Sequence, residues 1–200
     1  MFYPINLNIK NFKVVIIGGG QVAYRKCKNF LDFNCRVKVI SPKFCNEFYL
    51  LGSNVELVED YYNEEYIKDY SIIVAATNDK EINKGIGEYC ILNNKLVNVV
   101  DNIELSNYTV PSYIKKGDLL ISVSTGGKSP SLSKKIKLQL EKYYDDTYEE
   151  YINLLGEIRE IIILRYGNDI DKRKDIIKSL VDLSLDELKE EKKKYIKNEK

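Results

Sequence analysis

The chain has 200 residues, 44% hydrophobic and 30% charged, an ordinary composition for one globular domain or one domain with an appendage. Its 31 basic and 30 acidic residues leave a formal charge of +1, which gives no bulk attraction to nucleic acid. It contains no histidine. That removes the commonest metal ligand and the commonest general base, and passes acid–base chemistry to Asp, Glu, Lys, Tyr or Cys.

No apolar run approaches the roughly 20 residues that span a bilayer. The apolar stretch Val14–Ile17 is too short for a signal sequence and runs into glycines. A cytoplasmic protein with no membrane partner is expected. Cys27, Cys35, Cys45 and Cys90 form no C-x-x-C pair and are expected as small hydrophobes in a reducing compartment, with no metal site.

In chain order, β-branched runs predict strands at Lys13–Ile17, Arg36–Ile40, Val55–Val58, Ser71–Ala75 and Leu96–Val99. Helices are expected between them, over Val22–Phe33, Pro42–Leu51, Glu64–Asp69 and Glu81–Asn93. Strands alternating with helices predict a parallel, doubly wound α/β sheet, and near-continuous apolar strands suit a sheet covered on both faces. Beyond Asp101 the rhythm changes. Tyr108–Tyr113 and Leu119–Ser124 read as extended runs split by a turn at Lys115–Asp118. A glycine loop, Thr125–Lys128, then leads to Ser129-Pro130, an N-cap with proline at the first helical position. Leu132, Ile136, Leu140 and Tyr143 recur about every four residues, so that helix is expected to bury one face. From Asp145 the chain reads as helical, with Ile152, Leu155, Ile158 and Ile162 on one period and a break at Gly167-Asn168-Asp169. A capping-box pattern at Ser184–Glu187 opens a last helix, whose Lys189–Lys200 end is expected to be a solvated, fraying tail.

The run Val14–Ile17 enters Gly18-Gly19-Gly20-Gln21-Val22-Ala23, which fits G-x-G-x-x-G/A with Gly18, Gly20 and Ala23 at the three positions. Between a strand and a helix this pattern predicts a Rossmann-type dinucleotide site. Gly18 makes the tight turn, Gly20 admits the pyrophosphate, and the helix start supplies amide donors. The usual acid that grips the ribose is missing. Ile40-Ser41-Pro42-Lys43 stands at that place, and by themselves these residues leave NAD and NADP both open. Asp101 follows the fifth strand at its carboxyl end, where open α/β sheets hold ligands, and a carboxylate there can serve as a general base or simply cap a loop. Gly127-Lys128-Ser129 imitates the end of a P-loop, but Ser122 takes the place of its first glycine and Pro130 follows at once, which argues against ATP.

Several motifs together carry a resemblance: Gly18–Lys26, Ala75–Asp79 followed by Asn83, Asn98–Asp101, Tyr108–Ser112 and Lys116–Leu132. In order and spacing over roughly residues 1–145 they resemble the precorrin-2 dehydrogenase family, including the N-terminal part of siroheme synthases. The C-terminal helices agree only in length and type. The resemblance implies conversion of precorrin-2 to sirohydrochlorin with NAD as cofactor, by a homodimer. It puts the catalytic residue on Asp101. It implies cofactor contacts at Gly18, Gly19, Gly20, Gln21, Val22, Ser41, Pro42, Lys43, Thr77 and Asn78, and substrate contacts at Asn98, Ser124, Gly126, Lys128 and Lys134. The implied organisation is an NAD-binding domain over 1–112, a small α+β dimerisation region over 113–145 and a helical region over 146–200. Lysines 115, 116, 128, 134, 135, 137 and 142, against Asp118 and Glu141, suit the polycarboxylate substrate that the resemblance implies. Two other readings stay open: a bifunctional dehydrogenase and ferrochelatase, and an NAD-sensing module without chemistry.

Overall fold

The structure is a computed structural model and describes residues 2–197. It falls into two compact units that divide between Val110 and Pro111.

The first unit is a five-stranded sheet in the order β3-β2-β1-β4-β5, with every neighbouring pair parallel. The strands are β1 Val14–Ile17, β2 Val37–Ser41, β3 Val55–Glu59, β4 Ile72–Ala75 and β5 Leu96–Val99. The crossovers carry α1 Gln21–Leu31, a 3-10 turn over Asn46–Leu50, α2 Glu65–Lys68 and α3 Lys80–Leu92. The order reverses direction between β1 and β4, which makes the carboxyl ends of those two strands the topological switch point. Register puts Ile17 beside both Ile40 and Ala75, so β1 and β4 end level and β2 runs one residue further, to Ser41.

Side chains alternate along each strand, and both faces are apolar. Val14, Ile16, Val37, Val39, Ile72 and Val74 pack on Ala23, Cys27 and Phe30 of α1 and on Phe44 and Phe48. Val15, Ile17, Ile40, Ile73, Ala75, Val97 and Val99 pack on Ile67, Ile86 and Cys90. Two-sided burial explains why these strands read as unbroken apolar runs. The four cysteines are free thiols; Cys27, Cys35 and Cys90 are buried and Cys45 is partly so. The outer edge of β5 is closed by the chain that follows it. The Val97 amide donates to Asn107 Oδ1 (2.8 Å) and the Val99 amide to Ser106 Oγ (2.9 Å).

The second unit opens with an antiparallel hairpin, β6 Ser112–Lys116 and β7 Leu119–Val123, in which Lys116 pairs with Leu119. Helices α4 Pro130–Leu140, α5 Thr147–Tyr166, α6 Ile170–Leu180 and α7 Leu185–Lys197 follow. Pro130 starts α4 and the Ser129 hydroxyl accepts from the Leu132 amide (3.3 Å), the cap that the sequence predicts. Leu154, Ile158 and Ile162 of α5 form a core with Leu180 and Leu188.

Five expectations need correcting. Pro42–Leu51 holds a 3-10 turn, not a helix, because Cys45 is drawn back to bond Gly19 (2.8 Å). The extended run begins at Ser112, and Lys115 and Lys116 lie inside β6, so the hairpin turn shrinks to Gly117-Asp118. On α5, Leu154 takes the buried place expected of Ile152. The expected tail is helical through Lys197 and solvated on one side, but it is not detached: Leu188 is fully buried, and Lys189 and Lys192 pair with Glu150 and Glu157 of α5. Residues 198–200 lie outside the described residues. Finally, α4 buries its expected face only in part: Ile136 and Leu140 are half-buried beside the buried Ser133, whereas Leu132 and, beyond the helix end, Tyr143 are exposed.

Candidate active site

The glycine loop sits between the ends of β2 and β4. The Gly18 amide donates to Ile40 O (2.8 Å), and a β-carbon on Gly19 would stand 2.2 Å from the Lys43 carbonyl oxygen. Gly20 differs: a β-carbon there would meet nothing within 4 Å, so this backbone faces open space. It is also the N-cap of α1 and offers no side-chain cap, and the first turn of α1 carries no acidic residue. A helix start with uncapped amides and positive dipole, fronted by a residue with no side chain, is a site for a phosphate anion. These residues fit a dinucleotide pyrophosphate. Gln21 is held beside the loop by donating to Glu47 Oε1 (2.7 Å), a bond that keeps the Glu47 carboxyl below its usual range. Val22 follows, partly exposed, on the first turn.

At the end of β2, Ser41 is buried and its hydroxyl donates to the Lys43 carbonyl (2.8 Å). Its one proton is thereby committed to its own loop, and it can turn to a ligand only as an acceptor. Pro42 and Lys43 are exposed beside it.

Thr77 and Asn78 follow β4. Asp79 then caps α3, accepting from the amides of Glu81 (2.9 Å) and Ile82 (3.2 Å). Asn83, on the buried face of α3, binds Thr77 through both backbone and hydroxyl and donates to Asp101 Oδ2 (3.3 Å). Asp101 is exposed, just beyond β5. Asn98 is buried within β5 and donates to Tyr108 O (3.4 Å). Among the described residues, Asn98 Oδ1 and the Tyr108 hydroxyl are buried without a hydrogen-bond partner. Burial pushes the Tyr108 phenol well up.

The sheet's carboxyl edge thus brings together Gly18–Val22, Ser41–Lys43, Thr77, Asn78 and Asp101. An open groove of about 1340 Å³ at the opposite edge, lined by residues such as Lys13, Arg36 and Glu56, lies away from the strand ends where ligands bind in such sheets. Ser124, Gly126, Lys128 and Lys134 belong to the second unit. Ser124 Oγ accepts from the Gly126 amide (3.2 Å), Lys128 N donates to Thr125 O (3.2 Å), and Lys134 lies one turn into α4, both lysine side chains exposed. Asn83 belongs to the motif pattern, but the sequence does not mark it as a site residue. In sequence it is a polar residue in mid-helix, and nothing local marks it as the partner of Asp101.

Among the described residues, no group of three or more His, Cys, Asp or Glu is gathered to hold a metal ion. Among the described residues, too, no helix is long and apolar enough to cross a membrane.

Sheet order, glycine loop and uncapped helix define a dinucleotide-binding protein, and residues 5–112 match the NAD(P)-binding family model. The precorrin-2 dehydrogenase of Priestia megaterium is 31% identical over 183 residues, 90% of this chain and 89% of the relative. The solved structure of SirC, a precorrin-2 dehydrogenase, superposes with a TM-score of 0.80 at 29% identity, covering 98% of this chain and 100% of that one. The chain belongs to the precorrin-2 dehydrogenase family. It is also 29% identical over 174 residues to the siroheme synthase of Pseudoalteromonas translucida (strain TAC 125), but spans 37% of that protein's length.

Proposed function

We propose that this chain dehydrogenates precorrin-2 to sirohydrochlorin, with NAD as the hydride acceptor and Asp101 as the general base. The observation that carries this reading is the open carboxylate of Asp101 at the same sheet edge as the uncapped start of α1. Bound NAD supplies the acceptor for the hydride and its electron pair. The chain's own task is to hold both partners and to take up the proton released with that hydride, so that each turnover yields one NADH and one proton. The amides at Gly20 and the first turn of α1 bind the pyrophosphate, and Asp101 receives the proton. Asn98, Ser124, Gly126, Lys128 and Lys134 are proposed as contacts for the substrate, whose carboxylates suit the lysines of α4.

We also propose a cytoplasmic homodimer, with the NAD-binding domain over 1–112, the subunit contact built from 113–145, and 146–200 as a helical region. The exposed apolar side chains Leu132 and Leu138 of α4, and Tyr143 just beyond it, support this choice. Light scattering is expected to give twice the chain mass, and Leu132→Lys with Leu138→Lys to give the single mass; a wild-type monomer across micromolar concentrations refutes the dimer.

The test of the activity is anaerobic incubation with precorrin-2 and NAD, following NADH and product absorbance together. Sustained NADH formation with sirohydrochlorin is expected. Binding of NAD without turnover would make the chain a sensing module instead.

A further inference from the structure

Asn83 is fully buried on the face of α3 that also carries Ile86, Gly87 and Cys90, where an apolar side chain would be the ordinary occupant. A buried amide is tolerated when its polar atoms are paired, and here every capacity is used. Oδ1 accepts from the Thr77 amide (3.0 Å) and the Thr77 hydroxyl (2.7 Å), while Nδ2 donates to Thr77 O (3.1 Å) and to Asp101 Oδ2 (3.3 Å). Which end of the amide points where is fixed by Thr77. Its backbone N–H can only donate, so Oδ1 must face it, and the NH2 group is left for the carbonyl and the carboxylate.

Both ends of this bridge are otherwise rigid. Thr77 is held again by Asp79, whose amide donates to the Thr77 hydroxyl (3.1 Å), while that hydroxyl's single proton is shared between Asn83 Oδ1 (2.7 Å) and Asp79 O (2.9 Å). Around Asp101 the backbone is pinned by Val100 N to Ala75 O (3.0 Å) and Asn102 N to Val99 O (3.3 Å). The Asp101 side chain is open to water and accepts from the Asn83 amide. One side chain therefore joins the loop after β4 to the carboxylate after β5.

We infer that Asn83 is a positioning residue for the reaction: its buried amide holds the Asp101 carboxylate in a fixed orientation against the Thr77–Asn78 loop. This rests on the reading of Asp101 as the base. Asn83 touches neither reacting partner; it acts by narrowing the rotamers of Asp101. Loss of that restraint is expected to slow turnover on the order of tenfold to a hundredfold, the scale at which small misplacements of a reacting group are felt.

The test uses the full chain with precorrin-2, NAD and, for binding, NADH fluorescence. Asn83→Asp keeps an oxygen for the Thr77 amide and hydroxyl but replaces the donor to Asp101 with a like charge. It is expected to lower kcat at least about tenfold while the NADH Kd stays within about threefold of the wild type. Asn83→Ser, which gives up the donor to Asp101 together with the Thr77 bonds and adds no charge, is expected to lower kcat in the same way and serves if the aspartate variant does not fold. A folded variant with wild-type kcat overturns the inference, and so does a loss in which NADH Kd, kcat and melting temperature all move together, since that is a purely structural role. Asp101→Asn is measured alongside. If it is inactive while the Asn83 variants turn over normally, the Asn83 role alone fails; if it turns over normally, the base assignment and the inference fall together.

Discussion

Gly18 lies so close to Ala76 that a β-carbon on the glycine would stand 2.2 Å from the alanine's carbonyl oxygen. Its φ of +124° is a conformation that other residues adopt only under strain. Gly18→Ala is therefore expected to cost about 1–3 kcal/mol in backbone strain alone, before the clash is relieved. Thermal unfolding checks this, and a melting temperature equal to the wild type's would refute it.

Gly20→Ala separates binding from folding. The space in front of Gly20 is empty, and its φ of −85° is ordinary. Stability should stay near the wild type. The added methyl group stands where a pyrophosphate approaches, so NADH affinity should fall by about tenfold, near 1.4 kcal/mol. Unchanged affinity by fluorescence titration would mean that the cofactor does not use this loop.

The lysines of α4 are expected to act on substrate capture. Lys134 and Lys135 are exposed on the same helix. Replacing both with Glu should raise the precorrin-2 KM, with the effect shrinking as salt rises. Equal KM values at low ionic strength would remove the proposal.

The α-helical core of the second unit gives a packing test. Ile158 has 0% exposure and Leu164, on the same helix, has 84%. Ile158→Ala should destabilise by about 2–5 kcal/mol, whereas Leu164→Ala should stay within about 0.5 kcal/mol. Similar denaturation midpoints for the two variants would contradict the placement of α5.

Alkaline pH should weaken the fold. Burial pushes the Cys27 and Cys90 thiols up to about 12, against 9.0 in an unfolded chain. Both groups keep their protons in the folded state after the unfolded state has lost them. Their contribution is therefore complete below about pH 9 and is lost as pH climbs toward 12. The urea midpoint is expected to fall between pH 8.5 and about 10.5, with these thiols resisting alkylation until the chain unfolds. A flat midpoint, or rapid alkylation of the native protein, would refute this.

What could be read from the chain followed from where the information is local. Strands buried on both faces write themselves as apolar runs, so β1, β4 and β5 were placed within a residue. The glycine loop is local too, because its turn needs particular residues in a row. Pro42–Leu51 carries no such local sign, because its course is set by Gly19, more than 20 positions away. The periodicity of Leu132, Ile136 and Leu140 announced an apolar face, but a helix pattern does not say whether the chain itself or a second copy covers it. Asn83 escaped for the same reason: its meaning lies in Thr77 and Asp101, which only folding brings to it.

The closure of β5 has a consequence for how copies of this protein coexist. An uncovered strand edge offers its amides to any passing chain and can seed fibrous pairing. Here Asn107 and Ser106 occupy those amides with side-chain oxygens, so no foreign strand can extend the sheet on that side. The same short segment leaves Asp101 five residues before Ser106. Mutations that loosen this stretch would therefore threaten solubility and chemistry at once, and variants chosen to retune one should be screened for the other.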